Sequence, residues 1–459
     1  MYTFGKVYII MSENRSSHEI DMTSGKILPK LVVFAVPLAL SSMLQLLFNT
    51  ADVIVLGRFV GSDALAAVGS TTSLTNLLVN FFIALSVGVN VVVSSAYASG
   101  KFSDVTESVH TAIVLAVVCG VFLIGLGWFL SEPALKMMGT PEHVLPLAVT
   151  YMRIYFTAMP FILLYNFGAA VLRSIGDTKR PFTFLLIAGV INVCLNLFFV
   201  LRLHMGVAGV AIATSASNVI SSLLTVLTLM REDSCLRLDL KKLCLKKKTV
   251  KKIARIGVPA GIQSILFNIS NVLIQSSVNS LGADVMAANT ASINLEGFYA
   301  AGINSIYNGA LSFSSANHGA KKYDRLDRVM YNSFAATLMF CAVFSAIFFI
   351  FGRSLLSIYT EDPAIADKGL ERLNVFAFGY FIASFMDIMT AMLRGTGHGV
   401  IPTVMTIIGA VGFRLIWIFT VFAKTHSYSL LIWGYPLSWA LTFAILFFCY
   451  RRTRKHDLI

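Results

Sequence analysis

The feature of this chain that most restricts its fold is a series of long stretches without Asp, Glu, Lys or Arg. A helix needs about 20 mostly apolar residues to cross a bilayer. Seven stretches of that length carry none of these four residues, among them residues 73–99, 110–130, 181–201 and 256–283. Five more carry one interior charge and bring the set to twelve. The sequence therefore predicts an all-α polytopic membrane protein with twelve transmembrane helices.

Composition and charge distribution agree with a membrane protein rather than a soluble one. Hydrophobic residues make up 56% of the chain and charged residues only 13%, whereas soluble proteins carry roughly 25% charged residues. The net charge of +13 is unevenly spread, because 27 of the 36 Lys and Arg lie in the two tails and the loops after even-numbered spans. By the positive-inside rule, both termini are predicted to be cytoplasmic, in a cell membrane. The basic excess is a topology signal, so no nucleic-acid partner is expected.

The second half of the chain matches the first at a nearly constant offset. Val36-Pro37 corresponds to Val258-Pro259, and the Leu-Arg-x-x-Gly turn at 172–176 corresponds to the one at 393–397. Six spans per copy is an even number, so the two copies share one orientation in the membrane. Pro37 lies within the first span, where it removes a backbone hydrogen bond and permits a kink.

This repeat predicts two pseudo-symmetric six-helix lobes between short tails. The predicted parts are a cytoplasmic N-terminal tail at 1–28, an N-lobe at 29–231, a basic cytoplasmic linker at 232–252, a C-lobe at 253–450 and a cytoplasmic C-terminal tail at 451–459.

Asp52 is the ionisable residue that fits least well with a lipid environment. A charged side chain at membrane depth costs roughly 2.5–3.5 kcal/mol on insertion scales and usually marks function. Asn192 and Asn196 stand at i and i+4 on the fifth span, and Thr214 lies on the sixth. We expect these four residues to form a proton or sodium site in the N-lobe. The alternative is that the asparagines only hold helices together, as polar residues in membrane bundles often do.

The second lobe has its own candidates for binding an ion or a substrate. They are Glu296 on the eighth span, Asp387 on the tenth and Asn268 on the seventh. Arg153 and Arg414 are possible partners for these carboxylates, and an ion pair that only locks the bundle is the alternative reading.

Catalytic and nucleotide-binding motifs are missing from the sequence. There is no P-loop, no HExxH and no Gly-x-Ser-x-Gly, and the eight histidines are scattered. We therefore expect a transporter rather than an enzyme, with no metal and no cofactor beyond its coupling ion.

The sequence resembles the multidrug and toxic compound extrusion (MATE) family, on its bacterial DinF-like branch, over about 29–450. The resemblance is carried by the Pro37 to Asp52 spacing, the glycine-containing segment at 61–69 and the paired turns at 172–181 and 393–402. It implies efflux of organic cations driven by inward proton or sodium movement, with Asp52 as the N-lobe ion site and Pro37 allowing the first span to bend.

One position departs from the family pattern, and one other function stays open. Asn196 stands where the family carries a second acid on the fifth span, which leaves Asp52 as the only acid of the predicted N-lobe site. The sequence predicts a monomeric secondary antiporter that exports cationic or amphipathic drugs or toxic compounds in exchange for H⁺ or Na⁺. The alternative is a flippase for a lipid-linked saccharide, built on a related architecture.

Overall fold

The computed structural model describes residues 19–360 and 362–457, and all regular structure within them is helical. Twelve helical segments follow one another in this part of the chain, which confirms the predicted all-α polytopic fold. Most of the tail predicted at 1–28 lies outside the described residues, as do the last two residues of the tail predicted at 451–459.

Within the described residues, six helices precede the basic loop. Their bounds are α1 Ile27–Phe59, α2 Ser62–Ala98, α3 Phe102–Met137, α4 Leu145–Thr157 and Met159–Ser174, α5 Lys179–Leu197, and α6 Gly206–Arg231. The two halves of α4 meet at 46°. Pro160 at the start of the second half has no N–H to donate across the break, which favours a bend there. A π-helical turn, Phe198–Arg202, extends α5.

Six more helices follow the loop. Their bounds are α7 Lys247–Asn279, α8 Ala283–Gly319, α9 Tyr323–Leu356, α10 Pro363–Gly395, α11 Val400–Thr406 with its continuation to Thr425, and α12 Tyr428–Asp457. Two π-helical stretches, Ile407–Gly412 and Ile418–Phe422, interrupt α11.

The described helices are long and apolar enough for a membrane, with one informative exception. Ten of them pass that test singly, and the bent α4 makes an eleventh. The exception is α8, which has 37 residues but carries Asn289, Glu296 and Asn304. Most of its residues are buried inside the protein, so α8 meets other helices rather than lipid and tolerates polar side chains.

The chain divides into two compact units, and their bounds differ from the predicted lobes. The first unit contains residues 40–261 with the segment up to Asp21, and the second contains residues 22–39 and 262–459. The first half of α1 therefore groups with the second unit, where the Phe34 ring packs edge-on against Phe313 at 5.9 Å. The first half of α7 groups with the first unit. Hydropathy shows where a helix runs but not which helices it packs against.

The internal repeat is also visible in the backbone. Residues with positive φ angles recur in the second half of the chain at the turns equivalent to those of the first. The pairs are Gly61 (116°) with Gly282 (100°), Gly176 (91°) with Gly397 (88°), and His204 (51°) with His426 (48°). Positive φ is uncommon for residues other than glycine, so its recurrence at both histidines indicates that the two halves fold along the same path.

In the first unit, α2 and α7 approach each other through glycine. A Cβ atom added to Gly257 would lie 2.7 Å from Cα of Leu85. Because that neighbour is backbone, the clash cannot be relieved by a side-chain rotation.

We expect Gly257→Ala to lower the free energy of unfolding by about 1–3 kcal/mol, the usual cost of overpacking a well-packed interior. Gly125→Ala in α3 is the matched control, since no atom lies within 4 Å of its added Cβ. This substitution should leave the free energy of unfolding unchanged or raise it by about 0.5–1 kcal/mol, because alanine reduces the entropy of the unfolded chain. Denaturation of the purified protein in detergent measures both. Equal stability of the two variants would contradict the close approach of α2 and α7.

Candidate functional site

Three helices of the first unit bring the predicted N-lobe residues into one cluster. Asn196 Nδ2 on α5 donates a hydrogen bond to Asp52 Oδ1 on α1. Thr214 Oγ1 on α6 donates to Asp52 Oδ2 at 3.4 Å. Asn192 lies one turn before Asn196, and its Oδ1 accepts from Asn196 Nδ2 at 3.3 Å. In the opposite orientation of its amide, Asn192 Nδ2 instead donates to Asp52 Oδ1 at 3.1 Å, and its Oδ1 accepts from the Thr214 backbone N–H at 3.3 Å. The three neutral residues thus surround one carboxylate.

Local sequence explains this arrangement. Residues four apart on a helix share a face, so Asn192 and Asn196 point the same way from α5. Both are buried, 4% and 1% exposed, whereas Asp52 and Thr214 are half-buried. Asn196 Oδ1 is buried without a hydrogen-bond partner among the described residues. The cluster therefore has an oxygen free to accept a hydrogen bond or to contact a cation.

The Asp52 carboxylate has no cationic partner among the described residues. No Lys, Arg or His in the described part of the chain lies within ion-pair distance of it, and its hydrogen bonds come from neutral donors. Tyr151 on α4 also acts on it electrostatically and stacks on Tyr155, with ring centroids 6.1 Å apart. The sequence analysis missed Tyr151; tyrosines are frequent in this chain, and only the packing of α4 against α1 singles this one out. One negative charge surrounded by oxygen and amide groups can accept a proton or hold a small cation.

Glu296 forms a buried ion pair in the second unit. Arg372 on α10 donates to both of its carboxylate oxygens, at 2.7 and 2.9 Å. Arg372 also donates to Asn289 Oδ1 at 2.9 Å and lies 4.1 Å from the centre of the Phe376 ring. The charge of Glu296 is thus already balanced, which favours the reading of a pair that locks the bundle.

The predicted partners for the second-lobe acids were wrong. Arg153 lies 3.9 Å from Glu132 in the first unit and is partly exposed. Arg414 donates to the Ser438 hydroxyl at 3.0 Å and to no carboxylate among the described residues. The sequence analysis did not single out Arg372, which lies near the charged start of α10. The structure instead places it 3% exposed, inside the second unit.

Asp387 and Asn268 do not join Glu296 in a hydrogen-bonded cluster. Asp387 is half-buried on α10 and has no hydrogen bond or ion pair within the described residues. Arg394, two turns further along α10, acts on it electrostatically. Asn268 is half-buried on α7 and likewise has no described hydrogen bond. Among the predicted residues of the second lobe, Asp387 is therefore the acid whose charge remains available.

Comparison with known proteins gives a match in both halves of the chain. The family model described as MatE matches residues 37–198 and again residues 259–420, two ranges of equal length. This double match confirms the internal repeat that the sequence indicated.

Curated proteins and solved structures match over most of their length. The probable multidrug resistance protein YoeA of Bacillus subtilis is 28% identical over 435 residues, 93% of this chain and 94% of YoeA. The multidrug export protein MepA of Staphylococcus aureus is 23% identical over 380 residues, 82% of this chain and 83% of MepA. A solved outward-facing multidrug resistance MATE family transporter of the MOP superfamily superposes with a TM-score of 0.89 at 20% identity, over 96% of this chain and 99% of that one.

Proposed function

Because the chain belongs to the MatE family, whose members are membrane transporters and not enzymes, we propose that it is a secondary antiporter for drugs or toxic compounds. The exported compounds are small, amphipathic or cationic organic molecules, and the driving ion is H⁺ or Na⁺. The observation that carries this proposal is the Asp52 carboxylate, which three neutral side chains surround and which no cation balances in the part of the chain that the structure describes. The relatives named for multidrug resistance and export support the substrate class.

Competition for one negative charge is the chemistry that exchange requires. An ion that neutralises Asp52 favours one arrangement of α1, α5 and α6, and loss of that ion favours another. Pro37 in α1 has no N–H to hold the helix straight and supplies a place where α1 can bend. Moving one charge down a 100 mV potential yields about 2.3 kcal/mol, enough for roughly a fiftyfold gradient of a neutral substrate.

Asp387 is the group in the second unit best placed to attract a cationic substrate. Its carboxylate is half-buried and unpaired in the described residues, and it acts electrostatically on Tyr299. The Tyr299 ring stacks on Tyr380, with centroids 4.0 Å apart. Aromatic faces attract organic cations, so a carboxylate beside stacked rings suits such a ligand. Glu296 and Asn268 are secondary candidates, since the charge of Glu296 is already paired.

Ion movement driven by a substrate tests the proposal directly. The protein is reconstituted in liposomes, a cationic dye is added, and lumenal pH is followed with and without a sodium gradient. We expect dye-dependent movement of one of the two ions at least fivefold above protein-free liposomes. A pH change without sodium identifies proton exchange, and a strict sodium requirement identifies sodium exchange.

Dye movement without either ion, or no dye movement at all, would contradict antiport. Absence of all ion-coupled movement would favour the alternative function, a flippase for a lipid-linked saccharide. Such a flippase needs cationic residues to bind the anionic pyrophosphate of its substrate. Arg414 is the candidate for that contact, since it is buried and pairs with no carboxylate among the described residues. We further propose that the protein is a monomer in the cell membrane, with both termini cytoplasmic. Cysteine labelling at the basic 232–252 linker can test this orientation in the membrane.

A further inference from the structure

Four arginines are buried in the second unit, and they differ in how their charges are balanced. Arg372 is paired with Glu296, and Arg454 is paired with Asp327. Arg394 donates to Tyr307 at 2.8 Å and Gln263 at 2.7 Å. The fourth, Arg414, is 4% exposed and has one hydrogen bond among the described residues, from its Nε to Ser438.

The two terminal nitrogens of Arg414 are therefore left without hydrogen-bond partners in the described part of the chain. A guanidinium carries five N–H donors in a planar fork, so most of its donors are unused. Burying a charge is costly unless it is paired and hydrogen bonded. An unbalanced guanidinium inside a membrane protein thus marks a place where an anion is expected.

Aromatic rings surround this guanidinium on α7 and α12. Its Cζ lies 4.3 Å from the centre of the Tyr435 ring, 5.6 Å from that of Trp439 and 5.7 Å from that of Phe267. Phe267 and Tyr435 are half-buried, so parts of their ring faces remain open. These contacts attract the cation moderately but supply no negative charge. The nearby Arg372, 5.5 Å from the same Tyr435 ring, is already balanced by Glu296. The site therefore has one unbalanced positive charge and flat apolar walls.

The repeat places this site at or next to the position equivalent to the Asp52 cluster. Aligned at the first residues of the two ranges matched by the family model, Arg414 falls opposite Asn192 and Ile274 opposite Asp52. At the offset of the Gly176 and Gly397 turns, which is one residue shorter, Arg414 falls opposite the neighbouring Val193, and Leu273 falls opposite Asp52. In either alignment the second unit has an apolar residue in place of the acid and a buried base within one position of the amide.

We propose that Arg414 binds the carboxylate of an aromatic organic acid, so that the compounds handled by this transporter include acids as well as cations. The planar fork matches a carboxylate in two-point geometry, and the rings of Tyr435 and Phe267 contact the aromatic part. A single unpaired cation matches a single negative charge, whereas a phosphate monoester carries nearly two at neutral pH. The proposal uses the transporter assignment but does not depend on Asp52.

Binding of two matched probes to the full-length protein in detergent tests this site. The probes are 2-naphthoate and its uncharged amide, 2-naphthamide, which share one ring system. Isothermal titration calorimetry should show naphthoate binding roughly tenfold more tightly than naphthamide, because hydrogen bonds to charged groups contribute that much. In Arg414→Gln the ratio of the affinity for naphthoate to that for naphthamide should fall to near one. Arg414→Lys keeps the charge without the fork and should retain only part of the preference.

Two controls separate this proposal from other effects. Arg451→Gln removes an exposed arginine that stacks on Phe447, and it should leave the ratio unchanged. Asp52→Asn should also leave the ratio unchanged while coupled transport is lost, so failure of the antiport proposal and failure of this one are distinguishable.

Equal binding of the two probes by the unmodified protein would overturn the proposal, and this result does not require any variant to fold. A ratio that is unchanged in Arg414→Gln, with only the melting temperature lowered, would also overturn it, because Arg414 would then only brace the helices. An unchanged ratio in Arg414→Lys would overturn the two-point contact through the guanidinium fork.

Discussion

Asp52→Asn should abolish coupled transport while leaving the protein folded. Asparagine keeps the size of the side chain and can still hydrogen-bond Asn196 and Thr214, but it carries no charge and cannot take up a proton. Since Asp52 is the only acid in its cluster, no second carboxylate can replace it. We expect substrate-driven ion movement in liposomes to fall at least tenfold, to the level of protein-free vesicles.

Asp367→Asn is the matched control for this loss. Asp367 undergoes the same chemical change, but it lies 59% exposed near the start of α10, beside Arg353. The rate of substrate-driven ion movement in the Asp367→Asn variant should stay within twofold of that in the unmodified protein. Full ion-coupled export by Asp52→Asn, with a normal elution profile and melting temperature, would rule out Asp52 as the coupling site.

Glu296→Gln should destabilise the protein by about 3–5 kcal/mol, the cost of leaving a buried charge unpaired. Arg372 is 3% exposed and donates to both Glu296 oxygens. With the acid removed, its guanidinium keeps Asn289 and the Phe376 ring but has no negative charge. The free energy of unfolding in detergent, from denaturant titration, measures the effect.

Removing both charges separates charge pairing from general damage to packing. The double variant Glu296→Met with Arg372→Met should be more stable than Glu296→Gln, because no unpaired charge remains and apolar replacements of buried pairs are often near neutral. Breaking the exposed Arg353 and Asp367 pair should cost under about 1 kcal/mol. Additive losses in the double variant would show that Glu296 and Arg372 do not depend on each other.

These two predictions assign different roles to acids that the sequence treats alike. Asp52 and Glu296 both lie within apolar stretches, and both were candidates for an ion or substrate. The two acids differ in their hydrogen-bond partners. Neutral donors surround Asp52 and leave its charge available, whereas Arg372 balances the charge of Glu296. Substitution of Asp52 should therefore affect transport first, and substitution of Glu296 should affect stability first.

The membrane fold, the twelve helices, the repeat and the Asp52 cluster could all be predicted from the sequence alone. Each of these depends on a signal that is local along the chain or recurs at a fixed offset. Apolar length predicts a span, i to i+4 spacing places Asn192 beside Asn196, and the scarcity of charge singles out Asp52. These signals persist whichever way the helices pack.

The pairing of the remaining charges and the grouping of the helix segments depend on how the helices pack, and the sequence did not reveal them. Arg372 reaches Glu296 across 76 positions of sequence, and Arg414 is enclosed by rings from α7 and α12. The segment at 22–39 groups with the second unit although the chain on both sides of it belongs to the first. The physical reason is that hydropathy and periodicity record one helix's preference for lipid or protein, whereas a charge is balanced by whichever neighbour the packed helices bring within a few ångströms.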